Sequence, residues 1–261
     1  YYLNNKPANI GAAAGLTAAG DAASVLEGQW VSASGKGVTR FDIAAGHVPV
    51  TDQTVDLPMV VTLPAGVAPL AGWPVVIYQH GQGSDRSAAV GLAAQFAAQG
   101  WAVIAIDHPL HGVTSTNALA GLLMDPANER HFYIDMDGNS EMDASGAHSM
   151  NGSPATTRDI RRQTVADLHA LLASLERMSI NGQALDNSRV GYVGISMGGV
   201  IGSMFAGTVP DDQVQAFTLD VPGGGMAKLF DGSIVFASQF RPQLAAQGLD
   251  NGTLAYESYF A

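Results

Sequence analysis

Hydrophobic and polar positions change rhythm once along this chain. Val38-Thr39-Arg40-Phe41-Asp42-Ile43 alternates with a period of two and predicts a strand, and Leu57–Leu63 is a second β-rich run closed by Pro64-Ala65-Gly66. From residue 74 strands and helices take turns. Pro74–Tyr78 is short and wholly apolar, as a parallel strand covered on both faces should be. Residues 87–99 predict a helix with Val90, Leu92, Ala93, Phe96 and Ala97 for its buried face, ended by Gly100. Trp101–Ile106 is a further apolar strand. Thr156, with Asp159 three residues on, predicts a helix start by a capping-box variant. Ile160, Val165, Leu168, Leu171, Leu172, Leu175 and Met178 then keep helical spacing. Arg189–Val193 predicts a strand, Met197–Ala206 a helix and Val214–Leu219 a last strand. Such alternation predicts a mostly parallel sheet with helices on both faces.

No internal repeat is visible, and nothing divides residues 38–261. Residues 1–37 read as an N-terminal extension, with a low-complexity Ala/Gly stretch over 8–23. The stretch 110–155 is too long for an ordinary connection and predicts a cap or lid. The chain opens Tyr1-Tyr2-Leu3 with no Met and no leader-like segment, so any signal peptide was removed or not included.

Composition narrows the function. Of 261 residues, 47% are hydrophobic and 13% charged, which excludes a disordered chain. No apolar run is long enough to span a membrane. A net charge of −11 argues against nucleic acid as a partner. With no Cys there is neither a disulfide nor a thiolate metal site.

The candidate chemistry lies in Gly194-Ile195-Ser196-Met197-Gly198, a G-x-S-x-G pentapeptide between a strand and an apolar helix. A serine on that sharp turn is raised at the carboxyl edge of the sheet, and the glycines remove Cβ atoms that would collide. In a chain with 31 Gly the pentapeptide alone is weak; its setting makes it informative. His80-Gly81-Gln82-Gly83 follows the strand Pro74–Tyr78, the earlier position from which an oxyanion-hole amide comes. The candidate nucleophile is therefore Ser196, with the backbone amides of Met197 and Gln82 as oxyanion donors.

The expected order of a triad is Ser, then acid, then His. All seven His of this chain lie at or before His169, so none follows Ser196. His80 and Gly81 read as the wall of the site. His108 and His111 are polar residues of the loop after Ile106, candidates for contact with substrate and the alternative source of the base to one outside this chain. His169 reads as a satisfied helix residue, and His47, His131 and His148 have no assigned partner. Asp220, at the end of its strand, is the candidate acid, and Asp107 is expected to fix the loop 109–113.

These blocks together resemble the bacterial virulence-factor lipase family, α/β-hydrolases that include surface-exposed lysophospholipases. The resemblance is carried by Tyr1-Tyr2-Leu3, by Pro74–Gly81 with Asp85-Arg86 behind it, and by Gly100–Gly112. Glu129-Arg130-His131-Phe132, Thr157–Gln163 with Val165–Leu168, and Gly194–Gly199 complete it. It covers residues 70–205 and implies an α/β-hydrolase fold, a nucleophile at Ser196, ester or lipid substrates, and a secreted or cell-surface location. Such proteins continue through two further strands carrying the usual acid and the His. The expectation is therefore an incomplete hydrolase domain over 38–261, completed by a C-terminal segment or a second chain.

Other features leave alternatives open. Asp135, Asp137, Asn139, Glu141 and Asp143 alternate and could converge on a structural Ca²⁺, which takes about six to eight oxygens, or form a solvated lid segment. No cofactor is needed for the chemistry. Leu119, Leu122, Leu123 and Met124 either line an acyl pocket or, as expected here, belong to the core. Arg158, Arg161 and Arg162 either meet a phosphate head group or pair with carboxylates. The functional expectation is a serine esterase or lipase. Its alternatives are a non-catalytic domain that keeps the elbow only to bind, and an enzyme for thioesters or polyesters.

Overall fold

Six strands form one mixed sheet in a computed structural model that describes residues 1–3, 16, 24–150 and 153–260. Helix α1 (Arg40–Ala44) is followed by β1 (Met59–Thr62), β2 (Trp73–Gln79), α2 (Val90–Ala98) and β3 (Ala102–Ile106). Then come α3 (Ala120–Leu123), α4 (Pro154–Ser174), β4 (Ser179–Ile180), β5 (Gln183–Ile195), α5 (Met197–Ala206) and β6 (Ala216–Asp220). Helices α6 (Met226–Gly232), α7 (Ile234–Ala245) and α8 (Leu254–Phe260) end the chain. The strand order is β1-β3-β2-β5, with β6 beside the end of β5 and β4 beside its start. β1 on β3 and β4 on β5 are antiparallel; the other pairings are parallel.

Every residue of β2 and β3 is buried, which explains their unbroken hydrophobicity. Alternate residues feed two cores. Val75, Ile77 and Ile104 pack with Leu168, Leu172, Ile201 and Phe205 of α4 and α5. Val76, Tyr78 and Val103 face the opposite way, with Ala89, Leu92 and Phe96 over them. A third core joins Leu3, Val25 and Trp30 to Leu110, Phe132, Ile134 and Ile160, so the described ends of the first 37 residues pack on the 110–134 loops and on α4. The Ala/Gly stretch 8–23 lies, Leu16 excepted, outside the described residues. Among the described residues no helix is long and apolar enough to cross a membrane.

Several local expectations need correction. Residues 40–44 are helical because Thr39 accepts the Asp42 amide at 3.3 Å and Asp42 accepts the Thr39 amide at 2.9 Å, a capping box that overrides the alternation. α4 starts at Ser153, whose hydroxyl accepts the Thr156 amide at 3.1 Å, with Pro154 in the first turn. Thr156 and Asp159 are both buried instead of capping. Val90 is exposed, since a short 3₁₀ turn over Arg86–Ala89 shifts the start of the helical phase.

Candidate active site

β5 delivers the chain to Ser196 at φ 54° and ψ −113°, and α5 begins at the next residue. A left-handed φ on a side-chain-bearing residue costs about 1–3 kcal/mol and persists only where its surroundings fix it. Here the surroundings are close. The Ser196 amide donates to the Asp220 carbonyl at 2.9 Å, and Tyr192 Oη donates to the Gly198 carbonyl at 2.7 Å. A Cβ on Gly194 would run into Gly198, and one on Gly198 into the Gln79 carbonyl. The glycines of the pentapeptide are what let strand, turn and helix stack this closely. Ser196 itself is exposed.

The turn after β2 forms the facing wall. A Cβ on Gly81 would lie 3.2 Å from Ser196 Cβ and 3.2 Å from the Ile195 carbonyl. The Met197 amide opens α5, where no carbonyl of the helix can accept it. The half-buried Gln82 side chain is tied down: Nε2 donates to the Gly146 carbonyl and to Ser149 Oγ, both at 2.7 Å. That fixes the turn carrying the Gln82 amide.

Behind the wall lie three buried histidines. The ring centroids of His80 and His108 are 4.4 Å apart, and His111 is 5.2 and 5.3 Å from them. His80 Nδ1 donates to the Gly81 carbonyl at 2.8 Å. His108 Nε2 donates to the His80 carbonyl at 2.9 Å, and its Nδ1 is 3.1 Å from Thr164 Oγ1. His111 Nδ1 donates to the Pro109 carbonyl at 3.0 Å, and Nε2 accepts the Gly83 amide at 3.4 Å. Burial, with the charge of His80, holds His108 well below its ordinary range and lowers His111 to about 3. Both are neutral imidazoles committed to the backbone of the site.

The same family of folds is read directly from the sequence. The profile of the alpha/beta hydrolase fold matches residues 74–247, two thirds of the chain. The chain belongs to the alpha/beta hydrolase fold family. No curated protein is similar enough to place it more finely. Among solved structures, an acetyl xylan esterase from Paenibacillus sp. R4 is 18% identical, with a TM-score of 0.43 over 74% of this chain and 56% of that one. A monoacylglycerol lipase of Paleococcus ferrophilus is 16% identical, at a TM-score of 0.38 over 69% and 52%. A ferulic acid esterase from Streptomyces cinnamoneus is 19% identical, at 0.38 over 60% and 40%. The chain thus spans between 40% and 56% of the length of these three.

The other candidates of this alpha/beta hydrolase fall in different places. Asp220 is exposed, and among the described residues no histidine hydrogen-bonds its carboxylate. Asp107 does not tie down 109–113 through its side chain. It accepts the Arg86 amide at 2.6 Å and the Arg86 guanidinium, and lies 3.5 Å from His80 Nε2. Burial alone would raise its pKa; the His80 hydrogen bond and the Arg86 charge outweigh that and hold it at about 2. In the loop 135–143 the oxygens accept backbone amides: Asp135 those of Gly138, Asn139 and Ser140, Asp137 that of Asn139, and Asp143 that of Met136. Asp143 also takes His148 at 2.7 Å, and among the described residues no three acidic or histidine side chains gather as metal ligands. Leu119, Leu123 and Met124 are only partly buried and Leu122 is exposed, so these four are not core.

One feature escaped the sequence. Arg86, 1% exposed, binds Glu129 through both terminal nitrogens, Nη1 to Oε2 at 2.9 Å, as well as Asp107. Glu129 also accepts the amides of Val113 at 2.9 Å and Asp125 at 2.8 Å. Arg130 continues the network to Asp167 at 2.8 Å. In the sequence Asp85-Arg86 and Glu129-Arg130 stand only among the blocks that carry the resemblance. Nothing in their spacing showed that they meet beneath the His80 turn.

Proposed function

We propose that this alpha/beta hydrolase is a serine hydrolase of carboxylic esters, acting on lipid or small ester substrates as an esterase, lipase or lysophospholipase. The observation that carries the reading is Ser196, held at positive φ between β5 and α5 and facing the Gly81 wall. Its Oγ attacks the acyl carbonyl, forming a C–O bond while its proton passes to a base. The carbonyl electron pair becomes an oxyanion held by the Met197 and Gln82 amides. Collapse expels the alcohol, which takes the proton back, and water repeats the sequence on the acyl-enzyme to release the acid.

His80, His108 and His111 are engaged as described, so we assign the base to a histidine outside these 261 residues, in a further segment or a second chain. The resemblance to virulence-factor lipases supports a secreted or cell-surface location. The lack of a histidine after Ser196 also favours a second reading, a domain that binds esters without cleaving them. Turnover of p-nitrophenyl esters of short and long acyl chains, beside Ser196→Ala, decides between them. Loss of turnover in Ser196→Ala supports the enzyme, and chain-length preference separates esterase from lipase. Equal rates in both proteins remove Ser196 as nucleophile.

A further inference from the structure

Three arginines of α4 differ in one respect. Arg158 donates Nε and Nη2 to Asp159 at 2.7 and 2.9 Å. Arg162 reaches Asp159 at 3.1 Å and the Val38 carbonyl at 2.9 Å. Arg161 has no carboxylate among the described residues. Its one side-chain hydrogen bond among the described residues runs from Nη1 to the Thr157 carbonyl, a turn back in its own helix. Among the described residues Nε, sealed from solvent, has no partner, and Nη2 finds no acceptor.

The residue is only 7% exposed, and burial lowers its pKa only to about 10, so the guanidinium is a cation at neutral pH. A buried charge is normally paired, because stripping its water is costly. Acidic residues are not scarce here, with 23 Asp and Glu against 12 Lys and Arg. The missing counter-ion is therefore a feature of this position and not of the composition.

Its place matters as much. One turn on, Thr164 meets His108, which bonds the His80 carbonyl beside the Gly81 wall. After burial and the charge of His80, Arg161 is among the groups that lower both His108 and His111. Just before α4, Met150 packs on Met197 and Val200 at the start of the nucleophile helix. The guanidinium thus stands on the helix that flanks the site.

We propose that Arg161 is an anion-binding residue of this site, taking one phosphate or carboxylate group of the ester substrate. That the anion belongs to a substrate rests on the function proposed above; that Arg161 binds an anion does not. A singly charged oxyanion would supply the acceptors that Nε and Nη2 lack, through a charge-assisted, two-pronged contact.

The test is thermal melting of the full chain titrated with inorganic phosphate, with monododecyl phosphate, and with sodium chloride at matched ionic strength. Both phosphates are expected to raise the melting temperature saturably where chloride does not, and Arg161→Met to weaken that binding about 10-fold or more. Response to both probes assigns a bare oxyanion site, and response to monododecyl phosphate alone assigns the head group of an amphiphile; either supports the proposal. No response to either, or equal response in wild type and Arg161→Met, overturns it. Unliganded Arg161→Met should melt at or above wild type, since it removes an unpaired buried charge. A large drop, or failure to fold, would make Arg161 a structural group and also overturn the proposal. Arg161→Lys, which keeps the charge but not the fork, should bind with intermediate affinity. Ser196→Ala is expected to give the wild-type shift, so a failed nucleophile and a failed anion site remain distinguishable.

Discussion

Gly81 and Ser196 face each other so closely that a Cβ on Gly81 would stand 3.2 Å from Ser196 Cβ and 3.8 Å from its Oγ. The proposed oxyanion turn and the proposed nucleophile elbow are thus one surface, and the space between them is set by a missing side chain. Gly81→Ala should destabilise modestly, because the Ile195 carbonyl and Ser196 Cβ, on a turn held by the Asp220 carbonyl, must give by a few tenths of an ångström. It should lower kcat about 10–100-fold by displacing the serine from its donors. Steady-state kinetics and a urea melt of the same protein check both halves. Wild-type turnover in Gly81→Ala would mean that the turn is not a wall of the site.

Ser196→Gly makes the complementary case. Glycine adopts a φ of 54° freely, so removing the side chain releases the local strain. The variant is expected to be more stable by about 1 kcal/mol and devoid of ester hydrolysis. A urea midpoint below that of wild type would show that the elbow holds no strain for the nucleophile to release.

The fold was legible in the sequence where burial is two-sided. Strands such as Val75–Tyr78 and Ala102–Ile106 can be nothing but interior, and the glycines around Ser196 announce a close approach of backbones. The 38–43 segment misled because alternation is a weak signal beside a capping box that satisfies two amides. At the candidate site the strand–Ser196–helix turn and the His-Gly turn facing it follow from local pattern. The Arg86–Asp107–Glu129 network does not, because its members are 21 and 43 residues apart and meet only through strand order. The unpaired state of Arg161 is hidden for the same reason: Arg158, Arg161 and Arg162 look alike until their neighbours are known.

That network gives a third expectation. Arg86 is the common partner of two buried carboxylates, so Arg86→Met should destabilise by about 3–5 kcal/mol by leaving both uncompensated. Adding Glu129→Leu should recover part of the loss, since one orphaned charge then disappears. A double-mutant cycle on urea midpoints measures this. Strict additivity of the two substitutions would show that Arg86 and Glu129 are not coupled.

The buried histidines determine how stability depends on pH. Burial lowers His131 to about 4 and His111 to about 3, and takes His108 well below its ordinary value near 6.5. In the unfolded chain each takes up its proton near pH 6.5, while the folded protein refuses it until far lower pH. Between those values the unfolded state binds more protons, so stability is complete above about pH 6.5 and falls as the solution is acidified. Each histidine contributes a slope of up to about 1.4 kcal/mol per pH unit across its window. The expected profile is a steep decline from pH 6.5 toward pH 4, where carboxylates with lowered values, such as Asp107 at about 2, are still ionised in the folded state. His131→Asn should flatten that slope by about one proton, even though it is less stable at pH 7 for losing its contacts with the Val113 carbonyl and the Tyr133 amide. Urea titrations at half-unit pH intervals supply the measurement. A wild-type stability that holds level from pH 6.5 to 4.5 would show that these histidines become protonated in place, and that His108 and His111 are not the neutral, backbone-bound imidazoles described above.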